Sequence, residues 1–404
     1  MEYYEVPGVK PGPFPKQIEK REMPFSMEEY LGRLEHVQQL MAARGLDTVI
    51  ITDPSNMCYL TGFAASSSYV AQGLIFHAGD VLPHFYLRRQ DAPAAMHMTI
   101  VPNERIHGYA ERYIGDCTLS GFDVMFDAIS QTPSTKSIGL ELGAVAADAY
   151  ATITKRFGQF DYSDVSGELE QVRLIKSDAE QDYLRAAGKL TQSVALSLGD
   201  IFQEGRYESD VAADISAALF KGFPGKPGEP SDYLLMPGGK QTGTSHITWT
   251  ERKIEAGMHY NVEFAAARHR YHAPIMRTVS IGQPAPKLER MYGYMVEGCN
   301  AALATVAPGK TCADVAKTYC AVLDRGGYWK DSRCGYPIGI NWMETSCSLR
   351  VDDPTQLQPG MAFHLMLGTW LEEDFGAVIS ESFIVTDTGH ELLSDVPRDI
   401  ITAT

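Results

Sequence analysis

The chain has 404 residues, 44% hydrophobic and 21% charged, with a formal net charge of -16. A chain of this length can bury a large core in two or three domains, and its composition is that of a globular protein, not a disordered one. The acidic balance argues against a nucleic-acid or anionic-membrane surface, and no apolar run approaches the roughly 20 residues needed to span a bilayer. The seven cysteines are scattered with no CxxC pair. The N-terminus lacks the basic-then-apolar order of a signal peptide, so a reducing cytoplasm is the expected compartment.

Residues 1–25 are proline-rich, and they read as an extended arm able to pack on a partner subunit. Ser26 and Glu29 form a capping-box pair. Tyr30, Leu34, Val37 and Met41 then recur at helical spacing up to Gly45. Strands are expected at 46–52, 74–76, 84–87 and 137–141, with Asp53-Pro54-Ser55-Asn56 as a turn. Interleaved strands and helices predict an α/β domain over 26–165. A second domain, 166–404, opens with Val172-Arg173-Leu174-Ile175-Lys176-Ser177 and a second capping box, Ser177 with Glu180. Further on come a Gly/Pro-rich loop at 223–231, a loop containing Gly243-Thr244-Ser245-His246, and helices at about 287–306 and 313–323. The strands 361–366 and 378–385 close the domain.

The most informative stretch is 261–278. Val262, Phe264 and Ala266 alternate with Asn261, Glu263 and Ala265, and a polar turn near 268–270 leads into a second extended run. This pattern predicts a hairpin. Alternation places Glu263 opposite Val262 and Phe264, so its carboxylate is either solvated outside a sheet or part of a site.

The hairpin and the RxIKSxxE stretch resemble the methionine aminopeptidase, prolidase and creatinase superfamily. That resemblance implies a creatinase-like N-terminal domain of α/β class and an α+β "pita-bread" catalytic domain, usually as a homodimer. Metal-dependent members use five ligands, and on this chain those positions carry Glu263, Pro274, Tyr336, Met366 and Ser380. A proline, a phenol and a thioether are poor donors for a hard dinuclear cation, so the expectation is an enzyme with neither metal nor other cofactor. Creatinase is the family precedent for a metal-free site, with a histidine in the loop before the hairpin that shuttles a proton. His246 occupies that loop here and is the expected acid/base partner of Glu263.

Within the superfamily the runs DPSNMCYLTGF, RRQDA, SHITW, RYHAPIMRT, DSRCGYPIG and MAFHLMLGTW are similar to those of ectoine hydrolases. Two departures are Ser245 before His246, where a proline is usual, and a shorter segment after Ile340. The resemblance implies opening of a cyclic amidine, with Glu263 as anchor, base or nucleophile. The alternatives are a creatinase-like amidinohydrolase and a non-catalytic binding protein of the same fold. Expected substrate contacts are the aromatic faces of Trp249, Trp342 and Trp370, and the Tyr336 hydroxyl beside Met366. Arg88, Arg89 or Arg277 is expected to meet a carboxylate, and Glu381 to supply a second acid. Tyr59, Phe63 and Tyr69 are expected as lid residues across a dimer interface.

Overall fold

The computed structural model describes residues 18–115, 118–230 and 233–404, and it divides between Val172 and Arg173 into two compact units. Most of the expected arm, residues 1–17, lies outside the described residues. From residue 18 the segment packs on its own unit: Lys20 Nζ donates to the carbonyls of Thr99 and Val101, and the guanidinium of Arg33 sits 3.9 Å from the Phe25 ring centroid.

In the N-terminal unit, helix α1 (Met27–Arg44) is capped by Ser26 and stops at Gly45, whose φ of 63° suits a residue without Cβ. The expected capping box is only half present, because Glu29 turns instead to Arg33 at 2.6 Å. Strand β1 (Thr48–Ile51) follows. The supposed turn at 53–56 is in fact the start of helix α2 (Pro54–Thr61): the Asp53 carboxylate accepts from Ser55 N and Asn56 N, and proline takes the first position. The remaining elements are β2 (Gly73–His77), β3 (His84–Arg88), α3 (Ala92–Met98), β4 (Ile106–Tyr109), α4 (Gly121–Ser130), β5 (Ser137–Leu140), α5 (Ala147–Arg156) and β6 (Asp161–Asp164). They form one six-stranded mixed sheet in the order β4-β3-β2-β1-β5-β6. The short helix α6 (Glu168–Arg173) leads out of the unit.

The C-terminal unit begins with α7 (Asp178–Leu196), where Ser177 and Glu180 do form the reciprocal capping box. Next come α8 (Leu198–Ile201), α9 (Glu208–Lys221) and β7 (Glu229–Pro230), and then the long hairpin β8 (His259–Arg268) and β9 (Tyr271–Ile281). Helices α10 (Pro286–Thr305) and α11 (Cys312–Arg325) precede β10 (Gly335–Pro337), β11 (Ala362–Met366), β12 (Thr369–Glu372), β13 (Phe375–Ala377), β14 (Ser380–Val385), β15 (His390–Leu392) and β16 (Ile401–Ala403). Two four-stranded sheets result, β16-β9-β8-β7 and β10-β11-β14-β15. Val262, Phe264 and Ile275 pack under α7 and α9 in one core, while Phe363, Leu365 and Phe383 pack under α10 and α11 in another. Two apolar faces therefore point outward to helices. The opposite face of the hairpin meets β11 and β14, where Met276 N donates to Ser380 Oγ at 2.6 Å. No helix among the described residues is long and apolar enough to cross a membrane.

The RxIKS motif also has a structural explanation. Arg173 and Lys176 both reach the carboxylate of Glu344, at 2.6 and 3.0 Å, and all three side chains are at most 2% exposed.

Candidate active site

A cavity of about 590 Å³ opens in the C-terminal unit and is lined by His246, Glu263, Arg270, His272, Tyr336 and Trp342, among others. Glu263 reaches it because β8 is held on both edges. Its register partner on β9 is Met276, and its backbone N–H and C=O pair with Leu235 at 2.9 Å each. Its side chain is therefore fixed on the face opposite Val262 and Phe264. No described side chain or backbone group donates to the carboxyl, and burial pushes its pKa up to about 8. A buried acid with no partner at a cavity wall is a functional-site signal. On another side it borders a small void of about 10 Å³, shared with Thr244, Ser245, Asn261 and Trp370, which is room for about one water.

Tyr336 stands across from His364 in the β10–β11 register. The strands approach so closely that a Cβ on Gly335 would lie 2.2 Å from the His364 carbonyl oxygen, so only glycine fits there. The Tyr336 hydroxyl accepts from Trp342 Nε1 at 3.0 Å and lies 3.1 Å from His364 Nδ1. The other ring nitrogen of His364, Nε2, is 2.7 Å from Ser380 Oγ. Burial drives the His364 pKa down to about 3, so the ring is neutral. Burial, with the Glu263 charge adding to it, raises the Tyr336 phenol, which keeps its proton at any working pH.

The cavity gathers His246, Glu263, Tyr336 and Trp342 from the expected set. His246 is exposed at its edge. Trp370 borders only the small void, and Met366 lines neither space. Other expected contacts have different positions. Arg277 is fully buried and donates to the carbonyls of Met276, Ser380, Val396 and Pro397 and to Glu381 at 2.9 Å. Glu381 in turn takes Arg398 at 3.0 Å. Both residues brace β9 against β14 and the C-terminal segment; neither lines the cavity. Trp249 is 41% exposed and also outside it. Arg88 belongs to the N-terminal unit, where it binds Glu111 at 2.9 Å, Gln90 and Tyr69. Phe63 is core there, edge-on to Phe85 at 4.8 Å; Tyr59 is also buried, under Arg33, while Tyr69 is exposed.

Sequence reasoning missed His364 and Arg270. His364 had a readable signal: it lies two residues before Met366, so β-alternation puts both on one face. Arg270 had none, since only the hairpin geometry exposes it. With His269 it forms a two-residue turn at φ 48° and 68°, and the Glu229 carboxylate accepts both backbone N–H groups at 3.1 and 3.0 Å. At about 3.4 Å per residue the turn is roughly 17 Å along the strand from Glu263, so Arg270 marks the mouth and not the floor.

Two stacked sheets in a pita-bread arrangement, entered beside a buried hairpin carboxylate, define the prolidase-like class of hydrolases. The chain belongs to metallopeptidase family M24: residues 182–387 match that family, and residues 33–175 match the creatinase/prolidase N-terminal domain. It is 33% identical over 393 residues to the ectoine hydrolase of Halomonas elongata, covering 94% of this chain and 98% of that one. It is 39% identical over 378 residues to the uncharacterized hydrolase/peptidase y4tL of Sinorhizobium fredii, covering 93% and 97%. Among solved structures, prolidase from Thermococcus sibiricus shares the fold with a TM-score of 0.82 at 19% identity, over 94% of this chain and 100% of that one. The chain is thus a hydrolase of the M24 family by relationship.

That family name implies a metal centre, and the residues here do not fit one. Of the five positions only Glu263 offers a carboxylate. Pro274 has no side-chain donor, and its carbonyl accepts from Ser382 Oγ at 2.7 Å. Tyr336 and Ser380 are neutral hydroxyls already bonded within the protein, and Met366 is a thioether. Among the described residues no group of three or more His, Cys, Asp or Glu side chains is placed to hold a metal ion.

Proposed function

We propose that this protein hydrolyses a cyclic amidine, ectoine or hydroxyectoine, to an N-acetylated diaminobutyrate without a metal, as a cytoplasmic enzyme with no nucleic-acid or membrane partner. The observation that carries this reading is the Glu263 carboxyl, buried at the cavity wall with no hydrogen-bond partner among the described residues. Such a group is stabilised as an anion only when a cation enters, and an amidinium supplies that charge with N–H groups to match. The similarity to ectoine hydrolase over nearly the whole chain supports the same substrate class.

The chemistry follows from charge. An amidinium carbon is already electrophilic, so a Lewis acid adds little, in contrast to a neutral peptide carbonyl. Oxygen adds to that carbon, the π pair moves onto nitrogen, and the C–N bond then breaks with its pair going to the nitrogen. His246, at the solvent edge of the cavity, protonates the departing nitrogen. Glu263 either takes a proton from the attacking water or attacks first itself. A single turnover in oxygen-18 water separates these routes. Label retained in Glu263, with unlabelled first product, marks it as nucleophile; label in the acetyl group, with no covalent Glu263 adduct trapped on acid quench, marks it as base.

Chelator-treated protein is expected to open ectoine or hydroxyectoine, followed by NMR, and Glu263→Ala and His246→Ala are expected to lose the reaction. Turnover of creatine alone would move the protein to the amidinohydrolase reading. Activity abolished by chelation and restored by a divalent ion would sink the metal-free mechanism.

A further inference from the structure

Resting on that reading, we propose that His364 and Ser380 are positioning residues that aim the Tyr336 hydroxyl proton into the cavity, making Tyr336 the hydrogen-bond donor to a ring nitrogen of the tetrahedral adduct. The argument is a count of protons along one buried chain. Ser380 Oγ accepts from Met276 N–H at 2.6 Å and is fully buried, so its own proton needs an acceptor. The acceptor within reach is His364 Nε2 at 2.7 Å. That assigns the ring proton to Nδ1, which donates to the Tyr336 oxygen at 3.1 Å. Trp342 Nε1–H donates to the same oxygen at 3.0 Å. Having accepted twice from the protein, the phenol has its O–H left to donate, and the cavity is the space it faces. The opposite tautomer would reverse the two His364 bonds and leave the Ser380 hydroxyl with no acceptor among the described residues, which a fully buried group tolerates poorly.

A donor aimed this way discriminates between states of the substrate. Both nitrogens of a bound amidinium are planar, protonated and without an available lone pair, so the phenol finds no acceptor there. Once oxygen has added and the π pair has moved to nitrogen, that atom becomes pyramidal and can accept. The hydrogen bond then forms only along the reaction path and acts on kcat, not on substrate affinity. The phenol keeps its own proton throughout, so the proton balance of the reaction is unchanged. Two of the three linked hydroxyl and imidazole groups, Tyr336 and Ser380, stand where metal-dependent relatives place ligands.

Two measurements test this. Nitrogen-15 NMR of histidine-labelled protein, with His364→Asn identifying the resonance, is expected to show Nδ1 protonated; a protonated Nε2 overturns the proposal whether or not any substrate is found. With ectoine, Tyr336→Phe and His364→Phe are each expected to lower kcat by about 100-fold, on the scale of losing one transition-state donor, while KM changes by less than about threefold. His364→Asn, whose amide N–H falls near the Nδ1 position, is expected to recover most of that loss. A raised KM with unchanged kcat, or no rescue by asparagine beside an intact Tyr336 effect, overturns the positioning role. If His364→Phe does not fold, Tyr336→Phe and the tautomer still decide. Absence of ectoine turnover in the native protein is a failure of the amidine reading, and the tautomer then decides this one alone.

Discussion

Glu263→Gln is expected to lower ectoine turnover by at least about 10³-fold while leaving the fold intact, because glutamine keeps the shape and removes both the charge and the nucleophilic oxygen. The same substitution is expected to change the pH dependence of stability, and the sign follows from the direction of the shift. Burial raises the Glu263 pKa from 4.5 to about 8, so between those values the folded state holds a proton that the unfolded state has released. Stability contributed by the protonated form is complete below 4.5 and is lost as pH rises through about 8, at up to about 1.4 kcal/mol per unit. Native protein should therefore lose more stability across that window than Glu263→Gln, which keeps only the contribution of other raised acids such as Glu141. Thermal melts of both proteins at pH 5, 7 and 9 would read it directly: equal slopes would mean the acid is not buried as an unpaired group.

The same acid sets the activity profile. In the free enzyme kcat/KM is expected to rise with pH up to about 8, since only the anion attracts an amidinium. A bound cation draws the carboxyl pKa down by direct Coulomb attraction. The limb seen in kcat should therefore lie lower than the limb in kcat/KM, and binding in a weakly buffered solution should release protons. A kcat/KM limb centred near 4.5 would contradict the assignment.

How much of this was readable in the sequence depends on the range over which each position is decided. Glu263 was readable because strand alternation is local and the flanking Val262 and Phe264 announce which face is core. The RxIKS motif was readable as a marker but not as a mechanism, since its purpose is a carboxylate at Glu344 about 170 residues downstream. Arg277 and Glu381 were placed in the pocket because an arginine and a glutamate near lost ligand positions suggest recognition. In the fold they neutralise each other across β9 and β14, a pairing about 100 residues apart that no periodicity reveals. Asp53 illustrates the reverse case. Asp-Pro-Ser-Asn fits a turn and a helix start equally well, and the apolar packing of Met57 and Leu60 decides for the helix. Phe63, expected as a lid residue across a dimer interface, and Arg88, expected to meet a substrate carboxylate, each make contacts within the N-terminal unit, with Phe85 and with Glu111, that no local sequence pattern announces.

The largest stability effect is expected at Glu344. Its carboxylate holds Arg173 and Lys176, and none of the three side chains is more than 2% exposed. Burial alone would raise the Glu344 pKa, but Lys176 and Arg173 more than offset it and hold the group below 4.5. Glu344→Gln leaves two buried cations without their anion and is expected to cost about 3–5 kcal/mol, which for a unit of this size is roughly a 10 °C fall in Tm. The sign of the pH effect is opposite to that at Glu263: the contribution is present above 4.5 and lost as pH falls through the depressed native value. The gap between native protein and Glu344→Gln should thus close in acid. Replacing all three residues by methionine should cost much less than the single change, because the penalty lies in the unpaired charges and not in a missing attraction. The effect should also reach the site. Glu344 N–H is held by the Pro337 carbonyl at 2.9 Å, and the same loop carries Asn341, Trp342 and Met343 along the cavity. A Glu344→Gln protein assayed well below its Tm should therefore lose part of the Trp342-to-Tyr336 hydrogen bond and with it part of kcat. An unchanged Tm would show that the three charges are solvated and that the loop is held by other contacts.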